Sequence, residues 1–105
     1  MIDNKAVEKI IEERKKMHPD DPRIVEKWRE LTKYFVQDQE TTIEYLNNCN
    51  KENLKWIGEI FDDISELLQS YQFIECIERL SIKYPDLNLE SDVFYARKVF
   101  KNNNL

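Results

Sequence analysis

The residues of this chain that could do chemistry are few and scattered. It has one histidine, His18, and two cysteines, Cys49 and Cys76. His18 stands in His18-Pro19-Asp20-Asp21-Pro22, and a general base or zinc ligand would need other groups gathered around it. It reads as a surface-loop residue, with Asp20 and Asp21 as helix caps. A nucleophilic cysteine needs a histidine and an electropositive setting. Cys76 lies among Ile74, Glu75 and Ile77 and has neither. Both thiols are expected to be reduced, structural groups of a cytoplasmic protein. Metal-binding carboxylate bundles use Glu-x-x-His pairs, and this sequence has none. Asp62-Asp63 lacks the central glycine of a calcium loop. A carboxylate pair for glycoside hydrolysis would need a cleft, for which a small helical bundle is a poor host. The expectation is a protein with no cofactor, no metal and no enzymatic activity.

A periodic set of carboxylates remains. In Leu54–Tyr71, apolar residues fall at Leu54, Ile57, Ile60, Phe61, Ile64, Leu67, Leu68 and Tyr71. Steps of three and four put them on one face of a helix. Glu59, Asp62, Asp63 and Glu66 follow the same steps offset by two residues, about 200° of rotation, so they lie opposite the apolar stripe. From Glu52 to Ser70 the chain carries five carboxylates and one lysine, a net of −4 out of −5 for the whole protein. Like charges at these spacings cost a few tenths of a kcal/mol per pair in an isolated helix. An ordinary solvated helix face and a docking face for a basic protein both fit this pattern. In the second reading Glu59, Asp62, Asp63 and Glu66 steer and pair with lysine or arginine of the partner. Trp56, about 60° from Glu59 and about 20° from Asp63, borders the stripe as an aromatic anchor, with Tyr45 and Tyr71 as further candidates.

The elements that must position this face are helices. The single glycine and three prolines leave few turn residues for hairpins, while Glu, Lys, Leu and Ile abound. The pattern predicts an all-α domain spanning residues 1–105: a compact bundle of five to six short helices, or else a short array of stacked antiparallel helix pairs. The first helix runs from an Asp3 cap to about Met17 and, poorest in large apolar residues, is expected at the periphery. The second runs from Pro22 to about Val36 with Trp28, Leu31 and Phe35 inward, the Trp28 indole seeking a partner near the surface. The third covers about Gln39 to Asn48, and Asn50 caps the acidic helix. Gly58 inside that helix costs about 1 kcal/mol relative to alanine, which close approach by a neighbouring helix would explain. Ser70 caps a helix to Tyr84, stopped by Pro85, and Ser91 caps a last helix from Asp92 to Lys101. Asn102-Asn103-Asn104 reads as a frayed end.

Composition narrows the partner. The N-terminus is polar and no apolar run approaches the roughly 20 residues of a membrane span, so neither a leader nor a membrane is expected. Net negative charge argues against nucleic acid and permits a basic protein.

The segments Asp21-Pro22-Arg23, Thr42-Ile43-Glu44-Tyr45-Leu46-Asn47-Asn48-Cys49, Phe61-Asp62-Asp63-Ile64-Ser65, Phe73-Ile74-Glu75 and Lys83-Tyr84-Pro85-Asp86 resemble small helical bacterial proteins found beside secreted polymorphic toxins. Those proteins confer immunity. The acidic helix is also similar in charge, though not in motif, to colicin-type immunity proteins, which bind basic nuclease domains. The resemblance implies a cytoplasmic immunity protein that neutralises a toxin by docking its acidic face over a basic domain. A helical scaffold or homodimer built on an apolar patch, with Phe94, Tyr95, Val99 and Phe100 on the last helix, is the rival expectation.

Overall fold

Local caps set four of the helix starts. The computed structural model describes residues 2–101. Helix α1 (Asn4–Lys15) starts where the Asp3 carboxylate accepts from the Ala6 N–H at 3.1 Å. Helix α3 (Gln39–Asn48) starts on Asp38, which accepts from the Thr41 N–H at 3.0 Å. Helix α4 (Lys51–Ile57) starts on Asn50, bonded to the Asn53 N–H at 2.7 Å. Helix α6 (Tyr71–Lys83) starts on Ser70, bonded to the Phe73 N–H at 3.1 Å. These side chains satisfy N–H groups that no helical carbonyl reaches. Helices α2 (Ile24–Lys33), α5 (Phe61–Leu68) and α7 (Glu90–Lys98) start without a side-chain cap.

The domain is all-α. One turn of 3-10 helix, Gly58–Ile60, joins α4 to α5, so the seven α-helices of the described residues form six rods. No strand occurs among the described residues. None of the described helices is long and apolar enough to cross a membrane. The radius of gyration is 13.0 Å, close to the ~13 Å of a globular chain this long.

The core gathers Phe35, Phe61 and Phe73 with Ile11, Leu46, Leu54, Ile57, Ile64 and Ile77, all nearly inaccessible. Phe61 and Phe73 meet edge to face at 6.1 Å, a favoured quadrupole geometry. Helix α1 is no peripheral appendage: it buries Val7, Ile10 and Ile11 while packing on α2 and α4. Helix α2 is shorter than its pattern predicts. Asp21 accepts from the Arg23 N–H at 2.9 Å and pairs with its guanidinium, which holds the Asp21 carboxyl down to about 2 and delays the helix to Ile24.

The acidic rod departs from a single helix. At Ile60 the backbone reaches φ −113°, ψ 13°, and the tighter turn rotates α5 relative to α4. The buried face of α5 is Phe61, Ile64 and Ser65, with Leu68 half-buried. Leu67, predicted on the core stripe, is 63% exposed, and Tyr71 is exposed as well. The cause is α7, which runs beside α5 in the same direction. Gly58 meets Leu89 and Asp92, Ser65 Oγ donates to the Ala96 carbonyl at 2.6 Å, and Gln69 Nε2 donates to the Val99 carbonyl at 2.8 Å. Ser91 does not cap α7: Leu89 occupies that position, and Ser91 falls in the first turn. The helix ends at Lys98 rather than Lys101, and Asn102-Asn103-Asn104 lies outside the described residues.

Candidate docking face

Gly58 decides where the last helix sits against the acidic rod. A Cβ on Gly58 would stand 2.9 Å from both Asp92 Oδ2 and Leu89 Cδ2, closer than real contacts allow. The close approach expected at this glycine is thus made by the start of α7. It carries Asp92 up to Glu59 and Asp62, whose charges both act on it.

The predicted carboxylates part company here. Glu59 receives the Arg14 guanidinium through two hydrogen bonds of 2.9 and 2.8 Å and the Trp28 indole N–H at 2.9 Å. Bidentate pairing of this kind is directional and charge-assisted. Glu59 therefore ties α1 and α2 to the 3-10 turn, and it supplies the partner that the Trp28 indole was expected to need.

Asp62, Asp63 and Glu66 remain turned to solvent to differing degrees, the first two half-buried and Glu66 exposed. Asp62 Oδ1 accepts from the Asp63 N–H at 3.0 Å. Among the described residues, none of Asp62, Asp63, Glu66 and Asp92 forms an ion pair. Mutual repulsion shows in their proton affinity. Burial, then the Asp62 and Glu66 charges, raise the Asp63 carboxyl above its usual range. Burial, then Glu59 and Asp62, push Asp92 up to about 6. The face is thus four unneutralised carboxylates from two helices, all but Glu66 half-buried.

Trp56 is partly buried beside this face. Its indole donates to Glu52 at 3.2 Å, and the Arg14 guanidinium lies 5.0 Å from the ring centre. Arg14 thereby links Trp56 to Glu59, and Lys55 approaches the same ring at 5.7 Å. Tyr45 lies elsewhere, on α3 against α1, its hydroxyl donating to Asn4 Oδ1 at 2.6 Å. Tyr71 is exposed near Phe100, ring centres 6.2 Å apart.

His18 and the two cysteines do not assemble a reactive centre. His18 is exposed, and its Nδ1 accepts from the Asp20 N–H at 3.1 Å. Burial raises the Cys49 thiol to about 11 and also raises Cys76, so neither is poised as a thiolate. No group of three or more His, Cys, Asp or Glu among the described residues is arranged to hold a metal ion.

Sequence periodicity missed Asp92, because it lies 26 positions beyond Glu66 on another helix. Gly58 was the available signal, marking where a second helix comes close. No family model matches the chain, and no curated protein and no solved structure is similar to it.

Proposed function

We propose that this protein is a binding module that docks Asp62, Asp63, Glu66 and Asp92 onto a basic protein surface, with Glu59 and Trp56 shaping the edge of that face. The observation that carries the reading is that none of these four carboxylates forms an ion pair among the described residues, while Glu59 one turn away has a full set of partners. Desolvating Asp92 and crowding it with like charge costs folding free energy. A basic partner recovers that cost on binding, since it supplies the missing counter-charge.

The immunity-type resemblance selects the partner class within this proposal: a toxin domain whose basic active surface is covered by the acidic face. Occlusion needs no cofactor and no catalytic group on this chain.

The test is affinity capture with the tagged protein and with its Asp62→Lys/Asp63→Lys variant, at low and high salt. A basic protein held by the parent chain, released by salt and lost with the variant is the expected result. Identical capture by both chains would remove these carboxylates from the interface.

One observation favours a second reading, a homodimeric scaffold. Phe94 and Tyr95 on α7 are each 53% exposed, with ring centres 5.3 Å apart. Sedimentation separates the two: a concentration-dependent dimer abolished by Phe94→Ser and Tyr95→Ser belongs to the scaffold, and a monomer at all concentrations to the docking module.

A further inference from the structure

A groove of about 680 Å³ opens between α1, α3 and the start of α4, within the range of about 300–1,000 Å³ typical of small-molecule sites. It is separate from the acidic face on α5 and α7. Glu8 of α1 and Glu44 of α3 bring carboxylates to it, and Asn48 and Asn53 bring amides. Ile2, Cys49 and Tyr45 supply its apolar wall. No lysine, arginine or histidine is among the described residues that line it.

The lining is held in place from behind. Asn53, 7% exposed, donates its side-chain amide to Glu8 Oε2 at 3.2 Å. The Tyr45 hydroxyl donates to Asn4, which fixes the ring as a wall. Among the described residues, Glu8 Oε1 and the Glu44 carboxylate accept no hydrogen bond. Burial, with the Cys49 and Glu8 charges adding, pushes the Tyr45 phenol up to about 12, and the Cys49 thiol also stays protonated at neutral pH. The groove therefore offers no nucleophile, and it resists a further negative charge.

Burial alone would penalise an ion of either sign. Two carboxylates on different helices, with no lysine, arginine or histidine among the described lining residues, decide the sign. An apolar wall next to them favours a ligand with a hydrocarbon stem. The geometry points to a site for a small aliphatic amine, its ammonium head between Glu8 and Glu44 and its stem along Tyr45 and Ile2.

Two sources share this chemistry, a free diamine and a lysine side chain of a peptide. The test is an NMR titration of the 15N-labelled protein with 1,4-diaminobutane in one arm and Nα-acetyl-lysine amide in the other. The expected result is saturable shifts of the Asn48 and Asn53 side-chain amides, with the stronger arm naming the source. Affinity falls roughly tenfold in Glu8→Gln and in Glu44→Gln, as loss of one charge-assisted hydrogen bond implies. Glu44 is exposed, so Glu44→Gln carries the test if Glu8→Gln fails to fold. Shifts that persist unchanged in Glu44→Gln, shifts abolished by Asp62→Asn/Asp63→Asn, or no saturable shift in either arm would each overturn the site. Only the Asp62→Asn/Asp63→Asn outcome touches the docking face, by moving the amine there; the others leave that face to its own test.

Discussion

Glu59 and Asp92 flank the same glycine and have opposite fates. Glu59 enters a network with Arg14 and Trp28 in which every hydrogen bond is short and directed. Asp92, against Gly58, is half-buried, takes no ion-pair partner among the described residues and is repelled by Glu59 and Asp62. One carboxylate holds the fold together, and the other strains it. Acidic residues a few ångströms apart thus divide into structural and available groups by their partners, which the charge count alone does not reveal.

Four substitutions test that division, from the largest effect on stability to the smallest. Glu59→Ala leaves the guanidinium of Arg14, whose side chain is only 12% exposed, without its carboxylate. Urea denaturation should show a loss of about 2–4 kcal/mol, and a loss under about 0.5 kcal/mol would make the network ornamental. Gly58→Ala forces the added methyl against Leu89 and Asp92. The clash, partly offset by alanine's better helix propensity, should cost about 1 kcal/mol net. Stabilisation instead would mean that the Leu89 and Asp92 side-chain ends turn aside to admit the methyl.

Asp92→Asn should do the reverse of Glu59→Ala and stabilise the protein at neutral pH. The folded carboxyl titrates at about 6, above its ordinary value of 3.8. A raised carboxyl contributes stability that is complete below about pH 4 and is lost as the pH climbs through 6. The variant should match the parent near pH 4 and exceed it by about 1 kcal/mol at pH 7, after allowing for solvent screening of a half-exposed group. A gain independent of pH would show that packing, not charge, is responsible. The smallest effect belongs to Asp62→Lys/Asp63→Lys, which should change stability by less than about 0.5 kcal/mol while slowing association with a basic partner. Stopped-flow binding at two salt concentrations would check the second part, since a screened, steered encounter loses its salt dependence in the variant.

Capping was legible in the sequence because it is a local matter. Asp3, Asn50 and Ser70 each bond an N–H three residues ahead, so a short window contains the whole interaction. Gly58 was legible too, as a place where something comes close. The break after it was not, because the 3-10 turn answers to α7, some thirty residues further on. Chaining steps of three and four by residue type carries the stripe on to Leu67 and passes over Ser65, although at 100° per residue Ser65 returns to within about 20° of Leu54 and Leu67 lies about 220° away; Ser65 is polar and faces the Ala96 carbonyl. The site shows the same limit. Asp62, Asp63 and Glu66 share a helix and announce themselves by spacing, whereas Asp92 joins them through tertiary packing. The Glu59 network was half visible: the Trp28 indole needed a partner, and no spacing rule connects α2 to the turn after α4.

The parallel run of α5 and α7 has an electrical side. Peptide dipoles in neighbouring antiparallel helices oppose one another, but here both point the same way, and both helices begin at the Gly58 end. The N-terminus of α7, equivalent to roughly half an elementary charge, opens there, whereas α5 continues the rod of α4 through the 3-10 turn. Asp62 and Asp63 occupy the first turn of α5, and Glu90 and Asp92 the first turn of α7. The peptide field of α7 thus acts as a diffuse counter-ion built from backbone, favouring Glu90 and Asp92 by about 0.3–1 kcal/mol each at the surface. This helps the folded chain carry a concentrated negative end in which none of Asp62, Asp63, Glu66 and Asp92 has an ion-pair partner among the described residues.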